Sequence, residues 1–252
     1  MKNIIKRLCF IIPFILLMVG CESKNTVEEI NISAAASLKE VMAEIKTEYE
    51  SKNKDAKLTI NYGSSGSLKQ QIEQGAPCDI FISAGKKQVD DLDKGGFLVS
   101  DTVKELTRNK LVLIAPKDGN LENIDDLTTD KIKHIGVGYP DSVPAGKYAD
   151  EVLNSLNLKD KVKEKLTFGK DVKEVLAWTS SGNADAGFVY ISDTVNNDSV
   201  KVVEIIDEKN HSPIIYPVAI TKSSKKYEQS KKLEEFLLSE DVKKILNKYG
   251  YN

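Results

Sequence analysis

The chain has 252 residues, a formal net charge of −2 and 40% hydrophobic residues, which is enough material for a hydrophobic core without disulfide support. Its charges are mixed, and no basic stretch alternates with aromatic residues, which argues against nucleic-acid binding. The length allows one large domain or two small ones, and no Pro/Gly/Ser-rich linker, internal repeat or low-complexity segment divides the chain.

The N-terminus predicts export. Residues 1–20 combine a basic start with an apolar run that is shorter than the roughly 20 residues of a membrane span, as in a signal peptide. The residues Leu17–Cys21 resemble a bacterial lipobox, so we expect Cys21 to carry a lipid anchor and residues 21–28 to form a polar tether. The alternative is an ordinary secretion signal with an incidental cysteine. Cys78 is predicted to be a small buried hydrophobic residue.

Short apolar strands alternate with helical patterns in the first half of the chain. Strands are predicted at residues 30–32, 57–62, 79–83 and 110–115. Helices follow the first two strands, with Ser37 and Glu40 and then Ser67 and Gln70 as predicted capping boxes.

The second half repeats this order. Strands are predicted at 134–138, 186–191, 201–206 and 214–220, the last interrupted by Pro217. Asp171 and Glu174 predict a third capping box, and two amphipathic helices close the chain. The alternation predicts an α/β fold with mostly parallel sheets flanked by helices. We expect two lobes, with the strands at 110–115 and 214–220 as the crossings between them.

Four segments place small or hydroxyl residues where a helix begins. They are residues 33–40 (SAAASLKE), 62–71 (YGSSGSLKQQ), 140–148 (PDSVPAGKY) and 169–176 (GKDVKEVL). A helix N-terminus offers unpaired N–H groups and a partial positive charge, so several of them around one point would bind a small oxyanion. Taken singly, Ser37, Ser67 and Asp171 are equally explained as helix caps.

The sequence supports an enzyme less well than it supports an anion-binding protein. The residues 63–67 (GSSGS) nearly match a nucleophile elbow but lack its last glycine, and His134 and His211 are the two histidines that could act as a base. The sequence contains neither a phosphate-binding P-loop nor clustered metal ligands. We therefore predict no catalytic residues and no side-chain metal site, and keep a serine hydrolase as a remote alternative.

From about Ile30 to its end, the chain resembles the molybdate-binding proteins of bacterial ABC importers. The motifs AAASLKEVM, YGSSGSLKQQIEQGAPCDIFISA, VPAGKYA, KDVKEVLA, GFVY and YPVA occur in the order of that family. The resemblance implies that the ligand is bound by Ser37 and Ser65 in the first lobe and by Ala145, Val172 and Tyr190 in the second. Gly63 and Gly66 occupy positions that relatives fill with small or hydroxyl residues.

The resemblance also implies a two-lobed periplasmic-binding-protein fold of type II, with the ligand in the cleft between the lobes. We expect lobe 1 to comprise residues 29–109 and 219–252, and lobe 2 to comprise residues 110–218. The implied function is capture of molybdate, and also tungstate, for delivery to an ABC permease by a monomeric, lipid-anchored protein without a cofactor. Another tetrahedral oxyanion, such as sulfate or phosphate, is the alternative ligand. Asp171 is the residue whose carboxylate would alter that selectivity if it faced the ligand.

Overall fold

The computed structural model describes residues 27–252. The predicted signal peptide and Cys21 lie outside these residues, as does most of the predicted tether. Within the described part of the chain, no helix combines the length and the apolar character needed to cross a membrane.

The described residues form alternating strands and helices, as the sequence pattern predicts. The strands are β1 (Glu28–Ala35), β2 (Ala56–Gly63), β3 (Ile80–Ile82), β4 (Lys104–Arg108), β5 (Leu111–Pro116), β6 (Ile135–Gly138), β7 (Leu166–Gly169), β8 (Ala186–Tyr190), β9 (Val200–Ile205) and β10 (Ile215–Ile220). The helices are α1 (Lys39–Lys52), α2 (Ser65–Glu73), α3 (Lys86–Lys94), α4 (Pro144–Ser155), α5 (Lys159–Val162), α6 (Val172–Ser180), α7 (Ile191–Thr194), α8 (Tyr227–Leu237) and α9 (Glu240–Lys248). Short 3₁₀ turns connect several of them, including Ala36–Leu38 ahead of α1.

Two five-stranded sheets define two lobes. The first sheet has the order β2-β1-β3-β10-β4, and the second has the order β7-β6-β8-β5-β9. In each sheet three strands pair in parallel, while the strands beside the crossings pair antiparallel. The predicted two-lobed α/β fold is therefore present, but its sheets are mixed rather than mostly parallel. The reason is that the chain enters β5 and β10 directly from the other lobe. Each of these strands therefore runs opposite to its neighbours, β8 and β3, which belong to the parallel part of the sheet.

The chain crosses between the lobes at two places. The first crossing joins β4 to β5 through Asn109 and Lys110. The second lies between β9 and β10, because β10 pairs with the first sheet from Ile215 onward. The predicted boundary between residues 218 and 219 would divide this strand, so we place it before Ile215. Pro217 does interrupt the pairing, which shifts register between Tyr216 and Pro217.

Two strands of the structure, β4 and β7, are absent from the sequence-based prediction. Both lie at a sheet edge, and their residues are largely polar or exposed, so neither shows the apolar run of a buried strand. The eight predicted strands are all present. Cys78 is buried as predicted, and this burial raises the pKa of its thiol to about 11.

Candidate functional site

A small cavity lies between the two lobes. It is located at the carboxyl ends of β1, β2, β3, β7 and β8, the edge of an α/β sheet where ligands usually bind. The cavity is lined by Ala35, Ala36, Ser37, Gly63, Ser64, Ser65, Ala84, Val143, Pro144, Ala145, Asp171, Val172 and Tyr190. The structure thus brings all five predicted ligand residues together, from segments far apart in the chain.

Three helices begin at this cavity. Ser65 is the first residue of α2, Val172 is the first residue of α6, and Ala145 follows Pro144 at the start of α4. The N–H groups of a first helical turn have no acceptor within their own helix, and the helix dipole makes this end positive. Pro144 has no N–H to leave unpaired, which suits the first helical position. The N-termini of α2, α4 and α6 therefore direct backbone donors into one space.

The hydroxyl of Ser65 is oriented by the first lobe. Its Oγ accepts a hydrogen bond from the Ala84 N–H at 2.9 Å, and its side chain is buried. A hydroxyl has a single proton, and here one of its lone pairs is already occupied. The Ser65 proton is thus free to be donated into the cavity. The prediction of Ser67 as the cap of α2 is wrong, because Ser64 caps this helix by accepting from the Ser67 N–H.

Ser37 lies in a hydrogen-bonded network that the sequence did not predict. It belongs to the 3₁₀ turn and caps no helix, so the predicted capping box with Glu40 is wrong. Its Oγ lies 2.9 Å from the hydroxyl of Tyr216, which in turn lies 3.3 Å from Nδ2 of Asn109. The amide of Asn109 donates to the Tyr216 hydroxyl, and either hydroxyl can donate in the bond between Tyr216 and Ser37. When Tyr216 is the donor, the Ser37 proton remains for the cavity.

Asn109 and Tyr216 are therefore candidate functional residues that sequence reasoning missed. Asn109 occupies the first crossing and Tyr216 lies in β10, next to the register shift. The sequence signal was that Asn109 lies in the first connection between the lobes and Tyr216 near the start of the strand that follows the second, where a polar side chain can reach residues of either lobe.

Tyr190 closes the cavity from the second lobe. It is among the largest fully buried side chains, and its hydroxyl lies 3.4 Å from the carbonyl oxygen of Ala84 in the first lobe. Burial raises the pKa of Tyr190 well above its ordinary value, so the phenol is a neutral hydrogen-bond donor at physiological pH.

Asp171 acts as the predicted helix cap. Its Oδ1 accepts from the Glu174 N–H at 3.0 Å, and Glu174 accepts from the Lys170 N–H at 2.7 Å. One oxygen of this carboxylate is thus engaged with its own helix, and Asp171 also lines the cavity. The lining includes neither histidine: the backbone N–H of His134 binds Asp185, and His211 packs against Tyr148. The cavity serines thus have no histidine base beside them, which argues against the hydrolase alternative.

Direct contacts join the two lobes around the cavity. The Gly66 N–H donates to the carbonyl oxygen of Ser142 at 2.8 Å. On another side, Lys173 of the second lobe forms an ion pair with Glu40 of the first at 2.6 Å. With the Tyr190–Ala84 contact, these interactions hold the lobes in a closed arrangement.

This fold and site define a two-lobed solute-binding protein. The profile of the family described as bacterial extracellular solute-binding protein matches residues 30–252, and the chain belongs to this family. The molybdate-binding protein ModA of Haemophilus influenzae is 36% identical over 229 residues, covering 89% of this chain and 90% of the relative. YvgL of Bacillus subtilis, a substrate-binding lipoprotein assigned to an ABC transporter, is 38% identical over 242 residues. The match covers 94% of this chain and 93% of the relative.

Solved structures agree with this assignment. The substrate-binding domain assigned to a molybdenum ABC transporter of Clostridium difficile is 65% identical, with a TM-score of 0.70 over 89% of this chain and 98% of that chain. The periplasmic molybdate-binding protein of Azotobacter vinelandii has a TM-score of 0.81 over 88% of this chain and 98% of that chain. Because the Azotobacter vinelandii protein is only 23% identical in sequence, this similarity shows a shared fold and nothing further.

Proposed function

We propose that this protein captures molybdate, and also tungstate, outside the cytoplasm and delivers it to an ABC permease. The observation that carries the proposal is the convergence of Ser37, Ser65, Ala145, Val172 and Tyr190, from both lobes, on one cavity. Relatives named as molybdate-binding proteins, at 36% and 35% identity, support the choice of ligand. The proposed role is binding and transport rather than catalysis.

The chemistry of the cavity suits a small dianion. The donors proposed to bind it are hydroxyls and backbone N–H groups, which supply many hydrogen bonds without a countercharge. A charged group taken out of water costs several kcal/mol unless it is fully hydrogen-bonded, and hydrogen bonds to a charged partner are roughly twice as strong as neutral ones. Donors at rigid helix starts satisfy this requirement without the loss of side-chain entropy that a lysine would bring.

Size accounts for the proposed preference over sulfate. Sulfate is a smaller tetrahedral dianion, so it cannot reach donors on both lobes when these are spaced for molybdate. Each buried donor left unpaired costs about 1–3 kcal/mol, and two such donors would weaken binding by orders of magnitude. Tungstate has almost the same size as molybdate, and the same cavity therefore accepts both.

Calorimetric titration with molybdate, tungstate, sulfate and phosphate tests the proposal. We expect tight binding of the first two anions and much weaker binding of the others. Ligand at about 100 times its dissociation constant should stabilise the protein by about 2.7 kcal/mol, which is measurable as a higher melting temperature. Tighter binding of sulfate or phosphate than of molybdate would overturn the proposed ligand.

The lipid anchor is a separate part of the proposal, supported by the lipobox at Leu17–Cys21 and by the similarity to a Bacillus subtilis lipoprotein. Replacing Cys21 by Ser should prevent lipidation and release the protein from the membrane fraction. The variant should still bind molybdate, because Cys21 precedes the first strand. Unchanged membrane retention and processing would contradict the anchor.

A further inference from the structure

The segment that follows α9 folds back into the interior of the protein. Gly250 has a φ of +81°, a left-handed conformation that glycine adopts without steric cost and that commonly ends a helix. The N–H of the next residue, Tyr251, still donates to the carbonyl oxygen of Leu246 in α9 at 3.1 Å. Beyond this turn the Tyr251 side chain is buried, with only 2% of the residue exposed.

Asn252 anchors this segment beside the first crossing between the lobes. Its N–H donates to the carbonyl oxygen of Arg108, and its carbonyl oxygen accepts from the Arg108 N–H, each at 3.1 Å. The hydroxyl of Thr107 donates to the same Asn252 oxygen at 2.9 Å. Arg108 ends β4 and directly precedes Asn109 of the crossing. Tyr251 is therefore held close to the point at which the chain leaves the first lobe.

The hydroxyl of Tyr251 binds the turn that carries Ser37. It donates to the Ser37 carbonyl oxygen at 2.9 Å, and burial raises the pKa of Tyr251 above its ordinary value, so the phenol keeps the proton that it donates. The ring of Tyr251 packs edge-on against the ring of Tyr216, with centroids 5.5 Å apart, and the Tyr216 hydroxyl lies 2.9 Å from Oγ of Ser37. Two tyrosines that pack against each other thus contact the main chain and the side chain of Ser37.

This contact bears on ligand binding because Ser37 lines the cavity, whereas Tyr251 does not. Ser37 belongs to a short 3₁₀ turn that has no side-chain cap, so contacts from outside the turn help to fix its orientation. A peptide group is rigid and planar, and a hydrogen bond to the Ser37 carbonyl oxygen therefore orients the whole group.

We propose that Tyr251 is a positioning residue that holds the Ser37 hydroxyl in the orientation needed to bind the anion. This role rests on the proposed function, because it concerns a donor of the same cavity. Tyr251 acts through Ser37 and touches no ligand itself. Its anchor beside Asn109 places the Ser37 turn relative to the crossing about which the second lobe is attached.

Tyr251→Phe tests this role, because it removes the hydroxyl and keeps the ring that packs against Tyr216. We expect molybdate to bind about three- to tenfold more weakly, as for the loss of one hydrogen bond. Tyr249→Phe is the matched control: Tyr249 belongs to the same segment, but its hydroxyl donates to Glu44 of α1 at 2.9 Å, and neither residue lines the cavity. This variant should bind within about twofold of the wild type.

A double variant separates a positioning role from a structural one. If Tyr251 acts through the Ser37 hydroxyl, Tyr251→Phe should cost clearly less affinity in a Ser37→Ala background than in the wild type. A purely structural role would give the same fold-change in both backgrounds. All titrations are made at a temperature at which melting curves show every variant to be folded.

Three outcomes would overturn the role of Tyr251: wild-type affinity in Tyr251→Phe, an equal loss of affinity in Tyr249→Phe, or the same fold-change with and without the Ser37 hydroxyl. These outcomes are distinct from failure of the proposed function. If the anion panel shows that the wild type prefers another oxyanion, molybdate is the wrong ligand, and the same variants are then compared with the preferred anion.

Discussion

Lys173 of the second lobe lies 2.6 Å from Glu40 of the first lobe and 2.9 Å from Asp193 of its own lobe. Lys173 is the second residue of α6, where a positive charge is unfavourable because the helix dipole is positive at this end. The two carboxylates offset that cost. Asp193 also accepts from the Tyr190 N–H at 3.1 Å. The ion pairs thus connect the start of α6, the Tyr190 turn and the first lobe.

The protonation of this cluster follows from its burial. Burial lowers the pKa of Lys173, but the charge of Asp193 and the hydrogen bond to Glu40 more than offset this, so the pKa lies above its ordinary value. Burial raises the pKa of Asp193, an effect that Lys173 opposes. Lys173 therefore stays charged at neutral pH and can bind Glu40 whenever the lobes close.

Replacing Glu40 by Gln should weaken molybdate binding about 1.4- to fivefold, or about 0.2–1 kcal/mol, because the pair is partly exposed. The loss should shrink at high salt, since salt screens an exposed pair. Glu44→Gln is the matched control, because Glu44 lies on the same helix but pairs with Lys248 of its own lobe. Titrations of both variants at low and high salt measure the effect. Tighter binding by Glu40→Gln would mean that repulsion between Glu40 and the dianion outweighs the ion pair.

The three side-chain hydroxyls should each contribute to affinity. Ser37→Ala, Ser65→Ala and Tyr190→Phe each remove one donor to a buried charged partner, so each should weaken molybdate binding by about 1–3 kcal/mol. Calorimetry of the three variants measures this loss, and their ligand-free melting temperatures serve as the control for folding. Wild-type affinity in all three variants would show that these side chains are structural and do not bind the ligand.

Tyr216→Phe should also weaken binding, although Tyr216 does not line the cavity. When the Tyr216 hydroxyl donates to Ser37, the Ser37 proton is left for the ligand, and without this bond the Ser37 proton can turn away. We expect a smaller loss than for Ser37→Ala, and little additional loss when the two changes are combined, because they act on one donor. Tyr49→Phe, at another buried tyrosine of the first lobe, is the control. Additive losses in the double variant would contradict the network.

Phosphate should be rejected at pH 6, 7 and 8. Much phosphate carries a proton at neutral pH, and the carboxylate that lines the cavity, Asp171, already accepts from its own helix. Oδ1 of Asp171 is therefore held by its own helix, and a phosphate proton that meets no acceptor would be buried at a cost of about 1–3 kcal/mol. Titrations across this pH range measure the rejection. Phosphate binding comparable to that of molybdate would indicate an available acceptor, and Asp171→Asn would then show whether Asp171 provides it.

Much of the fold follows from local patterns in the sequence. The buried strands are short apolar runs, and the cap at Asp171 is a contact between residues three apart, so both can be recognised within a few residues. Patterns failed at β4 and β7, which lie at the sheet edges, and at Ser37, whose hydroxyl binds Tyr216, 179 residues away. A hydrogen bond between residues so far apart in the chain produces no repeating pattern from which it could be predicted.

The sequence alone determined the two-lobed α/β class and the small and hydroxyl residues at the helix starts, because these properties depend on neighbouring residues. The motif order also identified five of the residues that line the cavity. Only the tertiary structure decided which donor faces which acceptor. It placed Gly66 against Ser142, Lys173 against Glu40 and Tyr216 against Ser37. These contacts depend on how two lobes, each built from distant segments, come together, and that geometry is a property of the packed sheets rather than of any one segment.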